Sequence, residues 1–486
     1  MRFPILLAAV LALAACGSRG DDGIVDVAFI GEEQQLLTDG VRMSFGAQHV
    51  RAATREGLVS LDASGAVVPA IAERWIVTDD GSSYIFRLRD SAWPDGSEIT
   101  GESVRDALRA NLRALRGTTL GLDLMKVSEV RAMTGRVVEI RLSSPMPDFL
   151  QLLAQPELGL RNAGQSAGPM ALTENDKVLE LLALPPEARG LPRTEDWEEE
   201  FRPVHVHALS ARKATEAFAA NEVEIVLGGR IANLPLADTG ALARGTVRLE
   251  AALGVFGLEI INGSGFLGSR PNREALAMAI DRQALLAPFN IGGWIPTTRI
   301  VAPNLPADSD LVEERWTDLN LGQRQAVARQ RVATWKGLTG EDVTLTVSLP
   351  EGPGSTILFR ELARAYAPIG VKLERAKQGA RAQLRLKDRT ARYGAARWFL
   401  NQFNCDVIDG PCSPEADRLV AEATRAVDPV LRDELLAEAE RLILAENYFI
   451  PFGAPIRWSL VRAGVEGFSE NAWGMHPLFP LSQGTI

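Results

Sequence analysis

Apolar and polar positions trade places along Tyr84-Ile85-Phe86-Arg87-Leu88-Arg89, and that period of two predicts a half-buried strand. A shorter strand is expected at 57–61, followed by a turn at Asp62-Ala63-Ser64-Gly65, where Asp and Gly tolerate turn dihedrals. Trp75-Ile76-Val77 runs into a second turn at Asp79-Asp80-Gly81, and Trp93-Pro94-Asp95-Gly96 makes a third. Thr100 is the expected N-cap of a helix over 104–115, with Glu102 and Ser103 opening it and Leu108 and Leu112 on one face. The whole stretch from Arg55 to Ala110 reads as a local scaffold that carries no reactive chemistry.

The same patterning places further strands at 24–30, 137–142, 204–209, 223–227, 343–349 and 369–373. Helical spacing appears at 211–221, 273–286, 356–366, 414–427 and 431–445. Strand, helix and strand between 343 and 373 predict a parallel pair. Residues 185–203 are proline-rich and acidic and read as a solvated loop.

Length changes this picture, because 486 residues exceed what one hydrophobic core holds, so two or more lobes are expected. A formal net charge of −10 argues against nucleic acid as a partner and against electrostatic attachment to anionic lipid. At the start, Arg2 precedes an apolar run over 3–12 that is too short to span a bilayer. Leu13-Ala14-Ala15-Cys16-Gly17 follows and resembles the lipobox of bacterial lipoproteins, in which cleavage leaves Cys16 as a lipidated N-terminus; an ordinary secretory signal is the alternative. Residues 17–22 would then be a polar tether. Export makes a disulfide the expected state of Cys405 and Cys412, with Asp409-Gly410-Pro411 as the intervening turn; two free thiols are the alternative. No nearby His or Cys completes a metal set around them.

The scaffold has a particular order: Gly57-Leu58-Val59, a turn, Pro69-Ala70-Ile71-Ala72-Glu73-Arg74-Trp75, Asp79-Asp80-Gly81 before Tyr84 and Phe86, Trp93-Pro94-Asp95-Gly96, then Thr100 and Ser103-Val104. Ala277-Met278-Ala279-Ile280-Asp281-Arg282 adds a second motif. In this order the chain resembles the family 5 extracellular solute-binding proteins, the peptide- and nickel-binding receptors of bacterial ABC importers. The resemblance implies an α/β, two-lobed venus-flytrap fold with an extra N-terminal subdomain. Lobe I would take 22–50, 164–262 and 455–486, the inserted subdomain 51–163, and lobe II 263–454, with crossings near 263 and 455. It implies a non-catalytic, monomeric receptor in the periplasm, held by its lipid to the inner or outer membrane. The receptor would need no cofactor, capture a peptide-like solute and deliver it to an ABC permease and ATPase. The alternatives are a sensor or interaction protein on the same scaffold, or a metal or metallophore receptor.

Candidate ligand contacts follow from the same resemblance: Trp294, Trp398 and Phe399 as aromatic plates, with Phe45 and Gln48 from the first lobe. The family's peptide receptors follow their Trp with W-x-x-D-x-x-D-P, whose first Asp pairs with the peptide ammonium. Here Asn401 stands at that position, and it carries no charge to pair with a free amino terminus. Arg392 and Arg397 are candidates for a ligand carboxylate. His205 and His207, two apart on a strand, share a face and are either metal contacts or a solvated surface. No G-x-S-x-G and no G-x-x-x-x-G-K-[ST] occurs, so neither a serine hydrolase nor a nucleotide site of that type is expected.

Overall fold

Seven strands form the first sheet of the computed structural model, which describes residues 23–32, 35–175, 178–237, 245–303, 305, 311–377 and 380–484. Their order is Met170–Asn175, Val178–Ala183, Val204–Leu209, Val25–Ile30, Ile225–Arg230, Ile456–Val461 and Val247–Ala251. Val25–Ile30 runs parallel to both of its neighbours and is buried on both faces. Val25, Val27 and Phe29 pack with the Phe45–Thr54 helix side, while Ala28 joins Ala214 and Phe218 of the Ala211–Ala219 helix. A central parallel strand has to be apolar on both sides, and this one is.

The second sheet has the order Val371–Arg375, Val343–Ser348, Leu384–Thr390, Gly254–Ile260 and Phe449–Gly453. Val343–Ser348 and Val371–Arg375 are parallel, as strand-helix-strand order predicts. Gly254–Ile260 lies inside this sheet, between Leu384–Thr390 and Phe449–Gly453. The expected boundary at 262/263 therefore moves: the first crossing is Ala252-Leu253, because the apolar run after it pairs in the second sheet. The return crossing is Ala454-Pro455. Phe256, Leu258 and Ile260 face one side, with Leu276, Leu358 and Leu362; Val255 faces the other.

The subdomain is a four-stranded antiparallel sheet, Ala72–Val77, Ser83–Leu88, Val137–Leu142 and Val127–Met133 in order. Tyr84, Phe86 and Leu88 are its buried row. Its helix is Gly101–Ala114, starting at the cap rather than three residues later: Thr100 Oγ1 accepts from the Ser103 amide at 3.2 Å and Ser103 Oγ accepts from the Thr100 amide at 3.1 Å. Trp93 is buried in the subdomain core. That core does not stop at the subdomain. Leu58, Phe86 and Phe149 belong to one apolar cluster with Trp398, Phe399 and Leu419 of the second lobe. Towards the first lobe, Glu56 stands 3.8 Å from Arg89 and 4.0 Å from Arg189.

Two helical expectations differ from the outcome. The predicted 273–286 helix is two, Arg270–Ala279 and Arg282–Leu286, because Ile280 turns extended and Asp281 Oδ1 caps the second by accepting from the Ala284 amide at 3.1 Å. The longest helix, Leu321–Thr339, was not expected, since it buries only Ala328 and Val332 and shows no apolar stripe. Among the described residues no helix is long and apolar enough to cross a membrane. Cys16 and the tether lie outside the described residues.

Candidate functional site

The strand Leu384–Thr390 ends in a short connection that carries Arg392 and Tyr393, and the Ala396–Asn401 helix follows. This helix presents the expected ligand residues to the subdomain. Trp398 is 3% exposed and Phe399 is fully buried, their rings meeting edge to face with centroids 5.1 Å apart. Asn401 Nδ2 donates to Asp123 Oδ1 at 2.7 Å, and the Tyr393 hydroxyl donates to the same oxygen at 2.8 Å. Arg397 Nε donates to the Tyr393 oxygen at 3.3 Å, and its guanidinium also donates to the Asp123 backbone carbonyl. Arg397 Nε is 4.0 Å from the Asp123 carboxylate. The site is thus a buried polar latch between the subdomain and the second lobe.

Burial dominates its electrostatics. It pushes the Asp123 carboxyl up to about 6, against the opposing pull of Arg397, Asn401 and Tyr393. Among the described residues the second Asp123 carboxylate oxygen has no hydrogen-bond partner. Burial likewise pushes the Tyr393 phenol well up and brings Lys126 down to about 7, with Arg397 and Arg432 adding like-charge repulsion at Lys126. Lys126 Nζ donates to Ser144 Oγ at 2.7 Å, and Ser144 Oγ donates to the Thr424 carbonyl at 2.6 Å, a second polar crossing of the same contact. Arg392 makes a third: it donates to Gln155 Oε1 at 2.9 Å and Glu157 Oε1 at 3.0 Å. Its carboxylate partner is therefore internal. Asp123, Gln155 and Glu157 went unread in the sequence, where no local motif marks them.

The crossings hold the second part of the site. Arg457 in the returning strand pairs with Asp388 of the second sheet at 2.7 Å. Beside the crossings lies a cavity of about 300 Å³, and of the expected contacts it is Trp294 that lines it. Phe45 instead packs in the first lobe, its ring 4.4 Å from His49 and 6.0 Å from Phe29. Gln48, on the same helix as Phe45, donates from Nε2 to the carbonyl of Met43, just before the helix, at 3.4 Å.

His205 and His207 do share a face. His207 Nε2 is 2.7 Å from Asp26 Oδ1, and His205 is 3.6 Å from Asp26 and 3.5 Å from Glu180. Among the described residues no group of three His, Cys, Asp or Glu is arranged to hold a metal ion. Cys405 and Cys412, which follow the latch helix in the chain, are joined as a disulfide with Cα atoms 5.4 Å apart.

Comparison with known proteins finds likenesses of sequence and of fold. Residues 66–177 match the model of the middle region of the bacterial extracellular solute-binding proteins, family 5. The di/tripeptide-binding protein 1 of Pseudomonas aeruginosa is 21% identical over 478 residues, which covers 86% of each chain. The crystal structure of Haemophilus influenzae OppA in complex with RPPGFSPFR gives a TM-score of 0.78 at 18% identity, over 96% of this chain and 99% of that one. The Escherichia coli murein tripeptide binding protein MppA also gives 0.78, at 16% identity, over 93% of this chain and 96% of its own. At these identities the structural likeness establishes the fold, two lobes and a subdomain.

Proposed function

We propose that the chain belongs to the family 5 bacterial extracellular solute-binding proteins, whose middle-region model its residues 66–177 match, and that it is the solute receptor of an ABC importer, one that captures a peptide-like molecule between its lobes. The observation that carries this reading is the architecture itself: two sheets with separate helical layers, joined by Ala252-Leu253 and Ala454-Pro455. A solute that touches both lobes is bound fully only when they close, so binding shifts the open–closed equilibrium by the difference in its affinity for the two states. The closed form is what a permease would recognise. We place the protein in the periplasm, tethered through lipid on Cys16, as the sequence of its first residues supports.

Asn401 narrows the solute class. A neutral amide, already donating to Asp123, offers no charge to an ammonium. The preferred solute is therefore uncharged at the end that meets this helix: a blocked peptide or a cell-wall fragment. Native mass spectrometry of protein purified from its own periplasm tests the reading. A co-purifying peptide-like mass is expected, and blocked peptides should raise the melting temperature more than free ones. Protein that carries no solute and that no peptide mixture stabilises would count against the receptor reading.

One observation favours a second reading. The latch joins subdomain and second lobe directly, through buried hydrogen bonds from Tyr393 and Asn401 to Asp123. A permanently shut protein would act as a sensor or interaction partner. Loss of peptide uptake on deletion of the gene supports the importer, and unchanged uptake supports the alternative.

A further inference from the structure

Both chain crossings run along the wall of the cavity beside Trp294. Leu249 and Ile456 reach it from the first sheet, Val255 and Phe449 from the second, and Trp294 and Ile295 close it from the loop after the Arg282–Leu286 helix. Arg392, Trp398 and Asn401 do not line it, so it is separate from the latch; of the contacts expected for the solute it takes in Trp294. The indole of Trp294 is held in place. Its Nε1 donates to the Ala454 carbonyl at 2.9 Å, and its ring lies so close to Gly453 that a Cβ there would come within 2.4 Å of it. Only glycine allows that approach.

The wall is mostly hydrocarbon. An enclosure of this kind holds water poorly, and its lining atoms lack dispersion partners, so a neutral apolar guest gains on entering. An apolar cavity of about 150 Å³ suffices for benzene, and this one is about 300 Å³. Two large apolar side chains stand at its mouth in contact with solvent, Leu249 at 41% exposure and Ile295 at 46%. A guest would cover both.

We propose that this hinge cavity is a binding site for a neutral aromatic group of one or two rings, and that its occupancy biases the arrangement of the lobes. The bias follows from the wall's composition. Rotation about Ala252-Leu253 and Ala454-Pro455 moves the Leu249 side relative to the Trp294 side, so a guest that touches both has different affinities for the two arrangements. The group arrives either as a free aromatic molecule or as a side group of the captured solute; the chemistry is the same. The inference does not depend on which solute the receptor carries.

Indole is the probe, titrated into the full chain by calorimetry, with small-angle scattering to follow the lobes. Binding at about 1 mM or tighter is expected, together with a change in radius of gyration at saturation. Ile295→Glu, on an exposed side chain, should weaken indole at least tenfold while leaving the melting temperature near its starting value; Trp294→Phe should retain binding. A preference for Ala-Phe-Ala over Ala-Ala-Ala that disappears in Ile295→Glu identifies the guest as a side group of the solute. Indole binding without such a preference identifies a free molecule. Absence of indole binding up to its solubility, or binding that Ile295→Glu leaves unchanged, overturns the proposal. A chain that binds indole but no peptide at all would refute the receptor reading alone.

Discussion

Where Asp123 meets Arg397, Tyr393 and Asn401, the subdomain and the second lobe are joined by polar groups that have given up their water. Where Leu249 and Trp294 line one hollow beside the crossings, the lobes face each other mostly through hydrocarbon. The two contacts teach different things about closure. The latch has direction and stoichiometry: each donor has a named acceptor, and removal of one partner strands the other in a low dielectric. The hollow has neither, and any guest of suitable size and polarity satisfies it. A receptor that must close on variable solutes gains specificity of arrangement from the first and tolerance from the second.

The largest effect should come from breaking the latch on one side. Asp123→Ala leaves the buried Arg397 guanidinium without its carboxylate and should cost about 3–5 kcal/mol in denaturant unfolding. Scattering should show a wider molecule, because Glu56 with Arg89 and Arg189 ties the subdomain to the first lobe. The double variant Asp123→Leu with Arg397→Met removes both charges together and should recover the part of that loss due to the unpaired guanidinium, leaving the part due to the Tyr393 hydroxyl and the Asn401 amide, which still lack their shared acceptor. A double variant as unstable as the single one would mean that the network stabilises more than it specifies.

A smaller effect is expected from pH. Burial holds the Asp123 carboxyl at about 6, above the ordinary carboxylate value. A raised folded-state value means that the protonated acid suits the closed contact. Its contribution is complete below the unfolded value near 4 and is lost as pH rises through about 6. The contact should therefore tighten as pH falls from about 7 to about 4, by on the order of 2–3 kcal/mol. Lys126, lowered to about 7, loses its contribution as pH falls from the unfolded lysine range to that value, and so adds little below it. Asp123→Asn should flatten the profile between pH 6 and 4. A slope that persists in that variant would assign it to other carboxyl groups.

How far the sequence revealed these contacts depends on the range over which each is built. The scaffold was legible because its determinants are adjacent: Asp62 Oδ1 accepts from the Ser64 and Ala66 amides at 2.9 Å, Gly65 supplies a positive φ of 78°, and Thr100 and Ser103 cap each other. The latch was not, since Asp123 lies 270 residues from Tyr393 and 278 from Asn401, in a Thr-Thr-Leu-Gly-Leu-Asp stretch with no local signal. Arg392 was read for its chemistry, a carboxylate clamp, but the carboxylate is its own chain's Glu157. Trp294 was named as an aromatic plate by resemblance, while its anchoring on Ala454 and Gly453 required the fold. The Leu321–Thr339 helix escaped because few of its positions are buried, which leaves little pattern to read.

The smallest effect isolates the comparison from general destabilisation. Thr100→Ala removes a cap at the far end of the subdomain helix and should cost about 1 kcal/mol. Thr100 bonds Ser103 and touches neither the latch nor the hinge cavity. Its loss should lower the unfolding midpoint but leave the pH profile between 6 and 4 and the indole titration unchanged. Serine at position 100 should restore most of the midpoint, because its hydroxyl can accept the same amide. If Thr100→Ala also flattened the pH profile, the Asp123 carboxyl would be reporting the integrity of the subdomain and not the contact with Arg397. The distinction between a specified polar contact and an unspecified apolar one would then fail at its polar end.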